Sequence, residues 1–161
     1  MITTDQLIAD EAAERGRRTF ARWLRLARDK GGRTWTVYPT ARARRGLWLI
    51  RQYREETDAS RSIPGSAVDL MTDALHAASR MHGVDVIAAN APELAAEARA
   101  DFLPMIPAGA ADPLDWSEFL ADMVLALAEE HQDDDEAEAA LNEAYGAFSE
   151  EDAAASSVWQ Q

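Results

Sequence analysis

Phe20, Trp23, Leu24 and Ala27 recur at i, i+3, i+4 and i+7, the spacing that gathers apolar side chains on one face of an α-helix. Upstream, Thr3-x-x-Gln6 has the form of a capping box, so a helix is predicted from about Thr4 to Asp29. Gly31-Gly32 supplies its stop, since glycine closes a helix in the left-handed conformation without a Cβ penalty. Thr34-Trp35-Thr36-Val37-Tyr38 is then a short β-favouring run. After Pro39 two structures compete. One is a helix capped by Thr40 and running to about Tyr53, with Ala43, Leu47, Ile50 and Arg54 at helical spacing; the other is a hairpin pairing residues 34–38 with 47–53. The helix is preferred, because Thr40 and the i,i+4 pairs Arg51/Glu55 and Gln52/Glu56 fit it.

Residues 57–65 have the composition of a linker. A helix is predicted from about Ser66 to His82, with Val68, Met71, Leu75, Ala78 and His82 on one face and Asp69, Asp73, His76 and Arg80 on the other. Gly83 ends it, Pro92 begins another through Phe102, and residues 103–113 read as a loop. Asp115-x-x-Glu118 then caps a helix on which Trp116, Phe119, Leu120, Met123, Val124 and Leu127 share a face. Asp135-x-x-Glu138 caps the last, with Ala137, Leu141, Ala144, Tyr145 and Phe148 on one side and a tail from Ser149. The pattern predicts an all-α chain, a small bundle of about six helices with at most a minor strand or hairpin near residues 34–50.

With 161 residues the chain is sized for a single domain, residues 1–161. Of these, 33 are alanine, so the core is expected to be thin. Cysteine is absent, which excludes disulfides, thiolate metal sites and cysteine nucleophiles. Apolar runs such as Gly46 to Ile50 are far below the roughly 20 residues a bilayer requires. Met1-Ile2-Thr3-Thr4-Asp5 has neither a basic nor an apolar leader region, and a soluble cytoplasmic protein is expected.

Charge divides the chain. The net charge is −13, yet residues 1–61 hold 14 Lys and Arg against 8 Asp and Glu, a net of +6. Residues 62–161 hold 2 against 21, a net of −19. An Arg-rich part (1–57) is thus followed by an acidic helical part (66–152). Either the halves pack and neutralise each other, or both are solvated faces, or one of them meets a charged partner.

Residues 68–85 align without gaps on 117–134 at an offset of 49, matching Asp73 with Asp122, His82 with His131 and Asp85 with Asp134, and pairing Asp69 with Glu118. A weak repeat of 68–102 in 117–148 and convergence between two amphipathic helices both account for it. Asp69, Leu70, Asp73 and His76, followed by His82, Gly83 and Asp85, form a D-L-x-x-D-x-x-H…H-G-x-D run. In this run the chain resembles uncharacterised small helical proteins of phages and mobile elements. The resemblance covers about 20 residues and implies a bacterial or viral source and an accessory role, with no chemistry attached.

Candidate chemistry is sparse. Asp69, Asp73 and His76 share a helix face and, with Glu118 and Asp122, could offer ligands to a divalent metal. Both stripes lie opposite apolar faces, so solvated polar faces are the favoured reading and no metal site is assigned. Glu129-Glu130 with Asp133 resembles one half of a helical nucleotide pyrophosphatase site, but a second acidic pair is missing. No phosphate-binding glycine loop, nucleophile elbow or H-E-x-x-H motif occurs, no cofactor is implied, and the chain reads as a non-enzyme.

Two binding readings follow. Residues 112–152 carry 15 acids, about one per 4 Å if wholly helical at ~1.5 Å per residue, against one per ~1.7 Å in duplex DNA. Asp122, Glu129, Glu130, Asp133, Asp134, Asp135, Glu136 and Glu138 would then face a host protein with a basic, nucleic-acid-binding surface, as anti-CRISPR and anti-restriction proteins do. The alternative is direct nucleic-acid binding by Arg42, Arg44 and Arg45, with Phe20, Trp23, Trp35, Tyr38, Trp48 and Tyr53 interleaved for base stacking. A homo-oligomer built by basic-to-acidic contact is compatible with either, and no membrane association is expected.

Overall fold

In the computed structural model, which describes residues 2–27, 39–82, 113–131 and 134–157, five α-helices pack into one bundle. They are α1 (Thr4–Ala27), α2 (Pro39–Thr57), α3 (Ile63–His82), α4 (Pro113–His131) and α5 (Asp134–Ser157). There is no strand among the described residues. The segment after Pro39 is helix and not hairpin, while the 34–38 run and the helix expected after Pro92 lie outside the described residues.

The capping box forms as read: the Thr3 amide donates to Gln6 Oε1 at 3.0 Å and the Gln6 amide to Thr3 Oγ1 at 3.2 Å. Several boundaries differ from the sequence reading: α2 spans Pro39–Thr57, past Tyr53, and α5 begins at Asp134, so Asp135 does not cap it. α3 starts at Ile63 and not Ser66, because Ser62 caps it, accepting the Gly65 amide on Oγ at 3.1 Å. Pro64 therefore sits in the first helical turn, where its missing N–H costs nothing. α4 likewise starts at Pro113, so Asp115 does not cap it and Glu118 is turned into the protein. α5 runs on through Ser149 to Ser157, because its alanines favour helix and Glu151 is held by His76 at 2.6 Å.

α3 is the central helix. From Ser66 to Ser79 every residue is buried except the half-buried Asp69, so of the polar face predicted to be solvated Asp73 and His76 are enclosed while Asp69 and Arg80 reach solvent. α1 packs chiefly on α3, α2 on α4, and α5 across α3 and α4. Their apolar side chains form one cluster in which Phe20 stacks on Trp116 at 3.8 Å and Trp23 meets Phe119 edge-on at 5.7 Å. Among the described residues alanine supplies 13 of the 30 buried apolar ones, which lets helices approach closely.

Two contacts bring helices together backbone to backbone. A Cβ on Gly16 would lie 2.2 Å from the Asp73 carbonyl oxygen, and one on Gly46 would lie 2.3 Å from that of Asp122. Glycine within a helix ordinarily costs about 1 kcal/mol against alanine, and here that cost is accepted for close contact. Gly16→Ala and Gly46→Ala are each expected to destabilise the protein by about 1–3 kcal/mol in urea unfolding. Gly146→Ala, with nothing within 4 Å of its Cβ, should instead stabilise it by up to ~1 kcal/mol.

Candidate functional site

A carboxylate inside a protein must be paired and hydrogen-bonded, because isolated burial of its charge is prohibitive. Two aspartates opposite the glycine contacts meet this condition in matching ways. Asp122 on α4 is fully buried. Its Oδ2 accepts from Trp23 Nε1 of α1 at 2.6 Å and from Arg45 Nε of α2 at 2.6 Å, and its Oδ1 accepts from Arg42 Nε at 2.7 Å. Arg42, also fully buried, donates through Nη2 to Glu118 Oε2 at 2.6 Å and to the Glu118 carbonyl at 3.1 Å. Burial lowers the Arg45 pKa, with Asp122 pulling the other way.

Asp73 on α3 is the second. Its Oδ2 accepts from Arg15 Nε of α1 at 2.9 Å and from the Tyr53 hydroxyl of α2 at 2.5 Å, and its Oδ1 from Arg15 Nη2 at 3.2 Å. Burial pushes the Asp73 carboxyl above the usual aspartate range, against the hydrogen bonds of Arg15 and Tyr53, which pull it down. Tyr53 is raised above the ordinary phenol value by burial and by the Asp73 charge. Hydrogen bonding to Asp73 raises Arg15, so it stays a cation.

The two nodes are crossed copies. Arg15 and Gly16 of α1 serve Asp73 as Arg45 and Gly46 of α2 serve Asp122, an offset of 30 residues. Trp23 and Tyr53, also 30 apart, each reach across to the other pair's aspartate. Asp73 and Asp122 are the residues matched by the 49-residue echo, so the echo marks equivalent positions in the packing.

Beside Asp73 the bundle opens into a cleft of about 580 Å³ between α1, α2, α3 and α5. Its wall includes Ala12, Arg15, Tyr53, Asp69, Asp73 and Glu151. Arg61 enters at the rim and pairs with Asp69 at 3.0 Å, both side chains being 45% exposed. His76, buried against the Phe148 ring, holds Glu151.

The sequence-derived site residues fall differently from their grouping in the chain. Asp122 is not on the acidic surface; it is walled in, because Arg42 and Arg45 neutralise it. For the same reason Arg42 and Arg45 are turned inward and not toward a polyanion, leaving Arg44 as the exposed member of that trio. Phe20, Trp23 and Tyr53 are core residues, and Trp48 is exposed. Glu129, Glu130, Asp135 and Glu136 are exposed, Glu138 is half-buried, Asp134 opens α5, and Asp133 lies outside the described residues. Asp69, Asp73, Glu118 and Asp122 do not form one cluster: Arg61 holds Asp69, Arg15 holds Asp73, and Arg42 bridges Glu118 and Asp122. Among the described residues no three His, Asp or Glu side chains are grouped to hold a metal ion, and no helix is long and apolar enough to cross a membrane.

Arg15 and the polar roles of Trp23 and Tyr53 escaped the sequence reading. The available signal was the repeated Arg-Gly pair with an aromatic seven residues after the glycine, Arg15-Gly16…Trp23 and Arg45-Gly46…Tyr53.

Asp122→Ala, which strands Arg42 and Arg45 without their shared anion, is expected to cost about 3–5 kcal/mol in urea unfolding. In an alkaline absorbance titration of the folded protein, Tyr53 should ionise later than an ordinary phenol. Tyr53→Phe should remove that delayed component, and an unchanged curve would contradict the buried hydroxyl–carboxylate bond. No family model, curated protein or solved structure matches this chain.

Proposed function

We propose that the protein is a non-enzymatic binding protein that recognises a basic surface on another protein through α5 and the adjoining end of α4. The observation that carries this reading is how folding divides the charge. Basic residues of the first half are drawn into internal pairs: Arg15 with Asp73, Arg22 with Glu56, Arg42 and Arg45 with Asp122, and Arg61 with Asp69. By contrast α4 and α5, which pack side by side, contain no Lys or Arg, and Glu129, Glu130, Asp135, Glu136, Glu143 and Glu150 are exposed on them.

Burial of Glu118 and Asp122 thins this charge. Along the 24 residues of α5, about 36 Å at ~1.5 Å per residue, seven described acids face at least partly outward, about one per 5 Å. That is sparser than the ~1.7 Å spacing of duplex DNA or ~3.4 Å of a single strand. An ordinary Lys/Arg patch is therefore the favoured target, in preference to a cleft shaped around a duplex. A nucleic-acid-handling defence enzyme of the host, rich in such patches, is the sharpest form of that partner. It agrees with the resemblance to phage and mobile-element proteins and with action in the cytoplasm. Direct nucleic-acid binding loses support, since two of its three arginines are enclosed.

Replacing Asp135, Glu136, Glu143 and Glu150 by Lys tests the reading, with capture from nuclease-treated bacterial lysate as the readout. The variant is expected to keep its helical circular dichroism while losing a partner that the parent releases at high salt. Capture that survives the reversal would refute the acidic-face assignment. DNA recovered only when nuclease is omitted would move the function to the exposed arginines of α1 and α2.

A further inference from the structure

We infer that the cleft beside Asp73 is a guanidinium-binding seat, fitted to an arginine side chain presented by the partner. The inference deepens the reading above and takes from it only that the partner is basic. It rests on the correspondence between the two aspartate nodes. Arg15 matches Arg45, each placing Nε on the Oδ2 atom of its aspartate. Tyr53 matches Trp23, each donating to that same oxygen. Gly16 matches Gly46, each against the carbonyl of that same aspartate. Three independent features therefore fix the register between α1 and α2 and between α3 and α4.

In that register Glu118 corresponds to Asp69, and Arg42 corresponds to Ala12. At the Asp122 node the Arg42 guanidinium bridges the two carboxylates, with Nε on Asp122 Oδ1 at 2.7 Å and Nη2 on Glu118 Oε2 at 2.6 Å. At the Asp73 node the same pair of carboxylates, again at i and i+4 on one helix, faces a methyl group. The volume that Arg42 fills in one half is open in the other, as the 580 Å³ cleft lined by Ala12, Asp69, Asp73, Tyr53 and Arg15. The molecule thus holds both the filled and the open form of one arrangement, and the filled form names the guest.

Local details agree. Arg15 spreads a second, longer bond of 3.2 Å onto Asp73 Oδ1, the oxygen whose counterpart on Asp122 accepts Arg42. Glu143 and Glu151 also line the cleft, so its charge favours a cation. Arg61, itself on the cleft wall, holds both oxygens of Asp69, with Nε on Oδ2 at 3.0 Å and Nη2 on Oδ1 at 3.4 Å, but in an exposed pair that water and salt weaken, so a guest can displace it. A planar fork meets two carboxylates one helical turn apart through separate nitrogens, as Arg42 does, whereas an ammonium must serve both from one point, so arginine is selected over lysine.

The test is a titration of the full chain with N-acetyl-arginine methylamide, followed by amide chemical shifts, beside the lysine analogue and the uncharged citrulline analogue. The arginine compound is expected to shift Ala12, Tyr53 and Asp69, the lysine compound to bind about tenfold more weakly, and the citrulline compound not to bind. Ala12→Arg rebuilds the filled node from within and should abolish binding. Asp69→Asn, a change at the exposed rim, should weaken it by about tenfold or more while leaving the fold intact. Indistinguishable binding of the arginine and citrulline compounds would overturn the seat, as would full affinity in folded Ala12→Arg. Should Ala12→Arg fail to fold, unchanged affinity in Asp69→Asn would overturn it alone. A reversal confined to Asp135, Glu136 and Glu150, which leaves the cleft residue Glu143 in place, separates this from the broader reading: it should lose the partner yet still bind the arginine compound.

Discussion

Everything in this bundle is arranged around two enclosed negative charges, Asp122 fully buried and Asp73 in the wall of a cleft. Enclosing a carboxylate demands that its partners arrive with it, and the partners of Asp122 and Asp73 are arginines on the first two helices. That demand fixes which helices are neighbours and in what register. It also explains the two glycines, because a guanidinium stem can lie flat against the opposite helix only where the backbones nearly touch. An apolar core built so largely from alanine offers little shape to discriminate one helix pairing from another. The buried ion pairs supply the discrimination, a role in which polar groups contribute to specificity of structure more than to its stability.

The helices themselves were legible, because apolar spacing and caps are local properties. Thr3 and Gln6 capped α1 as their spacing predicts, and the aromatic and aliphatic stripe of α4 became core. Boundaries failed where one residue type serves two purposes. Pro64-Gly65 reads as a turn and is the first turn of a helix, and Ser149 reads as a tail and lies within α5. The larger misreading concerned charge. Asp73, Glu118 and Asp122 stand opposite apolar stripes, so local reasoning sends them to solvent. Only the arrival of α1 and α2 on that side buries them, and pairing over 20 to 99 residues of sequence leaves no local trace.

The bipolar charge of the chain has a structural explanation before it has a functional one. Arginines of the first half and acids of the second are in part each other's partners, and among the described residues α4 and α5 carry exposed acids with no Lys or Arg beside them on those helices. A surface of one sign on one side, with an enclosed ionic framework behind it, lets surface charge vary without disturbing the fold. It separates the residues that hold the molecule together from those that meet another one.

The crossed donors carry a consequence for how the protein is made. Trp23 and Asp122 are 99 residues apart, so at ~5–20 residues per second a ribosome takes about 5–20 s to deliver the acceptor after the donor. Until Asp122 follows, Arg42 and Arg45 lack the charge that neutralises them, although Asp73, 49 residues earlier, already stands available to Arg15. The helix that carries them is then a cationic, aromatic-bearing segment beside the polyanionic ribosomal surface. Folding of this chain is therefore a late event, completed only when α4 emerges and draws both arginine helices down together.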